Sequence, residues 1–477
     1  MKIKNHFLAT LLLPSILSSC IGPEYEKPKI EFTDQYKYDG IIWQQAQPSA
    51  DMDRGQWWKI YNDPILNGLI DKLNNNNQDI ASAAASYKQS LAIVREARAA
   101  YFPTVNATYA DTSQKTNQPS NDTSNHSLTF DSSWEIDLWG STRYTVASDF
   151  AAALSSKAYL ALTQLSAQSS LAQYYYEIRG LDINQKYLNS IVLANKKMLE
   201  YANNRYNSGV DDHLAVLNAK INLENAISNA ENNKINRNQY QIAIAILIGE
   251  APSSFSLAPL LGANDNIFAL TPVPISIPSE LLQRRPDIAQ AEQLLIQANA
   301  QIGVARAAFF PSLQIASTVT MQGNGNTMGQ LLSMPNMVWS VGPQLAFNIL
   351  DGGLRRAQTS AAWAGYEENV ALYRQTVLTA FADVENQLVA VKIYNEQAKM
   401  LNKVAKQNKE LLKLTTNQYK AGTVDYSQIL TAQINYYNAA ISACSNESLR
   451  RSAEILLIKA IGGGWKESDL EPLTTKK

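Results

Sequence analysis

The chain has 477 residues and a formal net charge of −1, so no general basic field points to nucleic acid or acidic lipid. Its hydrophobic content of 45% suits a chain with a core. Three histidines and two cysteines, with His6 in the leader and Cys20 at its end, leave little material for a metal site or histidine-dependent catalysis, and no recognisable acid–base pair of carboxylates stands out.

Residues 1–19 carry Lys2 and Lys4, then a short apolar stretch, then Leu17-Ser18-Ser19-Cys20. A charged start, a short apolar run and small residues before a cleavage point make a signal peptide, too short for a spanning helix. The LSSC ending resembles a lipobox, in which Cys20 becomes the acylated, palmitate-bearing first residue of the mature chain. Cys444 then has no disulfide partner and reads as a small buried helix residue. Ile21 in place of Asp goes with delivery to the outer membrane. Residues 20–63 read as an extended tether punctuated by Pro23, Pro28 and Pro48, with Trp57 and Trp58 packing it down.

Residues 64–101 read as one helix, ended by Pro103. The period then changes to two, which predicts strands at 103–111 and 126–138 around a polar loop at 111–125. In the second strand Leu128, Phe130, Ser132, Trp134, Ile136 and Leu138 alternate with Thr129, Asp131, Ser133, Glu135 and Asp137, one face for hydrocarbon and one for water. A proline-free helical hairpin follows at 141–248, turning at RYNSGVDDH, 205–213. After a proline-containing connector at 251–278 the order repeats over 279–464: strands at 312–321 and 337–349, and a hairpin at 353–461 turning at QYKAGTVDY, 418–426. Residues 465–477 are a tail.

The repeat is explicit. ARAAYFP at 97–103 answers ARAAFFP at 305–311, and Asp79-Ile80 answers Asp287-Ile288 at the same offset. Tyr206 and Gly209 answer Tyr419 and Gly422, at an offset shared by Ile248-Gly249 and Ile461-Gly462. The long arms, 142–204 and 354–417, have about 60 residues, roughly 90 Å at 1.5 Å per residue. Stripes such as Val377, Phe381, Val384, Leu388, Val391 and Leu188, Val192, Asn195, Leu199, Ala202, Tyr206 predict coiled-coil packing.

Four strands of about 10 residues each match the length of tilted membrane strands. Four cannot close a barrel, and an open sheet edge cannot face lipid, so the chain is expected to contribute its strands to an oligomer. Tyr101, Phe102, Trp134, Trp139, Phe309 and Phe310 gather where helix gives way to strand, either as an interfacial aromatic belt or as buried junction packing. Gly323, Gly325 and Gly329 lie between two strands and read as loop glycines.

The stretches GPEYEKP (22–28), WWKIYNDPILNGLI (57–70), WEIDLWGSTR (134–143), LLQRRPDIAQAE (281–292), ARAAFFPSL (305–313) and ILDGGLRRA (349–357) resemble the outer membrane factor family, the TolC-like efflux channels, in its lipoprotein, NodT-type branch. The resemblance implies a homotrimer: a membrane β-barrel of twelve strands, four per chain, continued by a long α-helical coiled-coil barrel as a periplasmic tunnel. It implies no reaction and no cofactor beyond the lipid on Cys20. The partners would be outer membrane lipid, a periplasmic adaptor and an inner-membrane pump. Both turns would form a periplasmic tip, closed at rest, with Arg205, Tyr206, Gly209, Asp211, Asp212, Tyr419, Gly422 and Asp425 as tip and gate candidates. Gly209 and Gly422 fit a tight helix–helix turn. Asp212 and Asp425 read either as helix N-caps, helped at Asp425 by Gln428, or as carboxylates narrowing the tip. Gln428 and Thr431 stand where TolC carries acidic residues, which argues against a strong cation-binding gate there. Arg205, Tyr206 and Tyr419 are expected to hydrogen-bond the tip shut. Rival readings are a non-conducting coiled-coil scaffold lipoprotein, a type I protein secretion channel and, with least support, an envelope enzyme.

Overall fold

The computed structural model describes residues 22–29, 56–115, 122–260, 268, 285–324 and 334–470. The leader, Cys20, most of the 20–63 tether, most of the 251–278 connector and the end of the tail lie outside the described residues. The chain divides into two units. One holds the described residues of 1–30, 85–157 and 290–375, and the other those of 31–84, 158–289 and 376–477.

Helix α1 (Pro64–Asn76) starts where the Asp63 carboxylate accepts the N–H groups of Ile65 and Leu66 at 2.9 and 3.2 Å, with Pro64 at the first helical position. The single helix expected over 64–101 is broken at Asn77, whose ψ of 128° is extended. The Asn77 side chain accepts the N–H of Ile80 at 2.9 Å, capping α2 (Gln78–Ala99), and donates to the Leu247 carbonyl at 2.8 Å. Asparagine side chains compete with the helical ladder for backbone partners, and a run of four, Asn74 to Asn77, concentrates that effect at the break.

The sheet unit contains β1 (Thr104–Lys115), β2 (Asp122–Ile136), β3 (Ser312–Asn324) and β4 (Met337–Ala346), antiparallel in the order β1-β2-β3-β4. Register sorts the two faces. Leu128 opposes Met321, Phe130 opposes Val319, Trp134 opposes Ile315 and Ile136 opposes Leu313. The alternate pairs are polar: the Thr129 and Thr320 hydroxyls meet at 3.2 Å, and the Thr318 hydroxyl donates to Asp131 at 2.8 Å. Tyr109 and Val105 fall in line with Leu128 and Ser132, and Trp339 and Leu345 with Val319 and Leu313, so the apolar face crosses all four strands.

Strand limits differ from those expected. β1 and β2 extend into the polar 111–125 segment, because backbone pairing needs no apolar side chains at its solvent end. β2 stops at Ile136, leaving Leu138 outside the strand. The Asp137 carboxylate there accepts the N–H groups of Thr142 and Arg143 and so starts α3 (Ser141–Asn207). β4 stops at Ala346 rather than 349. The Arg355 guanidinium takes the Asn348 carbonyl and pairs with Asp351, turning the chain into α6 (Leu354–Lys420).

The hairpins are α3 with α4 (His213–Leu247), and α6 with α7 (Tyr426–Ala460); α5 (Pro286–Ala307) precedes β3. The repeat is metrical: α3 and α6 each have 67 residues, α4 and α7 each have 35, and α2 and α5 each have 22. In the helical unit Trp57, Trp58, Leu66, Ile70, Tyr175, Tyr176, Ile244, Val384, Leu388 and Ile458 share one core. Buried charges there are paired. Asp182 takes Arg179 at 3.3 Å, Arg237 at 2.5 Å and the N–H of Leu260, and the two guanidiniums also hold the carbonyls of Ala258 and Leu257. Of the expected stripes, Val377, Val384 and Leu388 are buried on α6; on α3 the buried line is Ile191, Ala194, Asn195 and Ala202, while Tyr206 is exposed. No described helix is long and apolar enough to cross a membrane.

Candidate functional site

The helical unit carries both turns. Gly209 and Gly422 hold φ of 68° and 74°, the left-handed region that a side chain resists, and each N–H returns to a carbonyl of the helix just ended, Tyr206 and Tyr419. In the first turn Arg205 grips Asp211 through two hydrogen bonds, 2.6 Å from Nε and 3.0 Å from Nη2. These bonds hold the Asp211 carboxyl below its usual range and raise the guanidinium further. Asp212 caps α4 by accepting the Ala215 N–H at 3.1 Å.

The second turn is built differently. Asp425 precedes α7 but makes no side-chain cap, so the capping reading fails at this position, and Gln428 meets it through the backbone bond from its N–H to the Asp425 carbonyl. Its carboxylate instead accepts the Tyr201 hydroxyl at 3.2 Å, from α3 of the first hairpin. Arg205 also donates to that hydroxyl, at 3.4 Å. A continuous chain of polar contacts, Asp211–Arg205–Tyr201–Asp425, therefore joins the two turns. The expected hydrogen bonds from Tyr206 and Tyr419 are not formed among the described residues. Tyr206 packs edge-on against His213 at 5.5 Å and Tyr419 lies against Tyr426 at 5.6 Å. Tyr201 was not singled out by the sequence; its position one helical turn before Arg205 is the signal that could have found it.

In the sheet unit three of the six junction aromatics, Trp134, Trp139 and Phe310, are tied to the backbone or to one another. Trp134 donates to the Tyr101 carbonyl at 3.1 Å, and Trp139 donates to the Pro311 carbonyl at 2.7 Å while stacking on Phe310 at 4.8 Å. Arg355 lies over Phe309, and Phe102 is 70% exposed. The described start of the chain is held in the same unit. Gly22 donates to the Tyr144 hydroxyl at 2.5 Å, Asn299 donates to the Pro23 carbonyl, and Lys27 pairs with Glu292 at 2.6 Å. Gly22 and Gly303 admit no side chain: a Cβ on Gly303 would stand 2.5 Å from the Tyr144 ring. Among the described residues no group of His, Cys, Asp and Glu could hold a metal ion.

A sheet apolar on one face across four strands, in one chain with two long helical hairpins, fits an envelope protein whose sheet meets a membrane. The chain belongs to the outer membrane efflux protein family, whose model matches residues 69–250 and 277–463, and it is an outer membrane protein. It is 30% identical over 469 residues to the probable efflux pump outer membrane protein TtgC of Pseudomonas putida, covering 95% of this chain and 94% of that one. Nodulation protein T of Rhizobium leguminosarum bv. trifolii is 27% identical, over 94% of this chain and 96% of its own. The open-state structure of the MtrE outer membrane channel of Neisseria gonorrhoeae superposes with a TM-score of 0.79 at 26% identity, covering 94% of this chain and 99% of that one.

Proposed function

We propose that this chain is the outer membrane exit duct of a tripartite efflux system, working as a homotrimer with a twelve-stranded barrel and a periplasmic helical tunnel. A periplasmic adaptor and an inner-membrane pump deliver cargo to it, and the pump selects that cargo. Four strands with two open edges support the trimer, since an edge in lipid leaves backbone groups without partners. So do the apolar lines left uncovered on α4 (Leu214, Leu217, Ile221, Ile235) and on α6 (Ile393, Met400, Leu411, Leu414), which suit a second copy. Lipid on Cys20 would anchor the chain two residues before Gly22, which is docked in the sheet unit.

The observation that carries the gating part of this reading is the polar chain between the turns. It holds the two hairpins of one protomer together where the tunnel must open, and it uses partly exposed hydrogen bonds and one ion pair rather than a packed core. Such contacts are individually weak in water and are readily exchanged for contacts to a docking protein. The test is planar-bilayer conductance of the purified full-length protein, wild type beside Tyr201→Phe with Asp425→Asn. More frequent or larger steps in the variant support a gate at the turns. Unchanged steps keep the duct and remove the gate from these residues, and silence from a well-folded wild type removes the duct.

A further inference from the structure

Helix α6 presents three lines along its turn-proximal half. The first is buried within the chain: Val384, Leu388, Ala398 and Thr415. The second is apolar and uncovered: Ile393, Met400, Val404, Leu411 and Leu414 are between 44% and 67% exposed. The third is Lys392, Lys399, Lys403, Lys406, Lys413 and Lys420, of which all but Lys392 are exposed. The lysines recur at steps of seven, or four and three, so at 3.5 residues per turn they keep to one line about 110° round the helix from the buried one. Glu396 and Glu410 are the carboxylates on that line, and among the described residues none of the six lysines forms an ion pair. Like charges three or four residues apart oppose one another along a helix. The repeat-related positions on α3 are Arg179, Lys186, Ser190, Leu193, Glu200 and Asn207, with Arg179 buried against Asp182. The lysine line therefore belongs to the second repeat alone.

We propose that this line is a docking surface for an acidic helical hairpin, a coiled-coil arm carrying Asp or Glu at heptad spacing, as the adaptor would present. A partner helix repeats the same spacing, so its carboxylates stay beside the lysines over several turns. A small anion has no use for a line of this length. The direction the line faces rests on the duct reading. In a closed ring each helix touches two neighbours, and the arc between its two contact lines faces the bore. The buried and the apolar lines are those contacts, about 130° apart at 3.5 residues per turn, and the lysines fall in the wider, outward arc. Docking there would set an acidic arm beside the Asp425–Tyr201 contact of the second turn, since Lys413 and Lys420 flank that turn on α6.

The probe is a disulfide-stapled two-helix hairpin with Glu at every outward heptad position, beside the same hairpin with Gln and with Lys. Binding is measured by thermophoresis to the full-length protein in neutral-lipid nanodiscs, across a salt series. The Glu hairpin is expected to bind wild type and to weaken at least tenfold on Lys399→Glu, Lys406→Glu, Lys413→Glu, while the Lys hairpin gains affinity for that variant. The milder Lys399→Gln, Lys406→Gln pair should fall between them, and it serves if the triple reversal does not assemble. Equal binding of the Glu and Gln hairpins, or a Glu hairpin indifferent to the reversals, overturns the proposal. Binding of phosphatidylglycerol vesicles that the reversals abolish, with no hairpin binding, overturns it in favour of a membrane contact. Conductance is recorded on the same preparations. A charge-swapped hairpin that binds a protein without conductance sinks the duct and the outward direction, and leaves the lysine docking standing.

Discussion

The two turns occupy equivalent places in the repeat and are stabilised in different ways. The first carries its own brace: Arg205 and Asp211 close the loop on themselves, and Asp212 caps the returning helix. At the matching positions the second has Gln418 and Val424, which cannot pair, and an Asp425 that caps nothing. Its own side-chain brace is a single neutral bond, the Thr423 hydroxyl donating to the Gln418 carbonyl at 3.0 Å, and it is tied from outside by Tyr201 of the first hairpin. The counterpart of Tyr201 is Leu414, which is exposed and returns no such bond. The first turn thus braces itself with an ion pair and a cap, while the second leans on the neighbouring hairpin.

That difference is testable by breaking or copying the braces. The largest effect is expected from Arg205→Ala with Asp425→Asn, which cuts the polar chain at two places. Bilayer recordings should show open events several-fold more frequent than in wild type, and equal frequencies would mean that the turns are held by something else. Copying the first brace into the second turn, Gln418→Arg with Val424→Asp, should restore closure in a Tyr201→Phe background; no restoration would place the control at Tyr201 itself rather than at the rigidity of the second turn. Capping gives a smaller contrast. Asp212→Ala should lower the local opening free energy of the first turn of α4 by about 1 kcal/mol in amide exchange, whereas Asp425→Ala should leave the start of α7 nearly unchanged.

The pH dependence has a definite sign. The hydrogen bonds from Arg205 lower the Asp211 carboxyl from its ordinary 3.8, so their contribution is present above that value and is lost only as pH falls through the lowered one. Leak conductance attributable to the first turn should therefore be flat from pH 7 to about pH 5 and rise only below the ordinary carboxylate range. The smallest expected signal is chemical. Cys444 is buried and its thiol is pushed up to about 12, first by desolvation, so it should resist thiol reagents in the native protein and react on unfolding.

Much of this was readable from the chain. Constant offsets between ARAAYFP and ARAAFFP, and between Gly209 and Gly422, announced two copies of one plan, and the structure renders them as helices of matching length. Alternation announced the two-faced strands, since a face that meets hydrocarbon leaves a mark on every second residue. Strand ends were less legible. Residues 111–115 and 122–125 pair through the backbone, and their sequences, DTSQK and DTSN, carry no apolar alternation. The break at Asn77 was hidden because its partners, Ile80 and Leu247, include one far along the chain. The tie between Tyr201 and Asp425 was hidden for the same reason: the two lie 224 positions apart, and nothing local to either residue specifies the other.

The matching of helix lengths, 67 with 67 and 35 with 35, limits how such a chain can change size. A heptad inserted into one arm alone would rotate nothing but would slide every contact beyond it along the partner arm, and would strip the Tyr201–Asp425 tie of its register. Change by sevens, made in all four arms together, keeps each side chain opposite its old neighbour. Length in this protein behaves as a shared dimension, set once for both repeats, and an alteration confined to one of them is a defect rather than a variant.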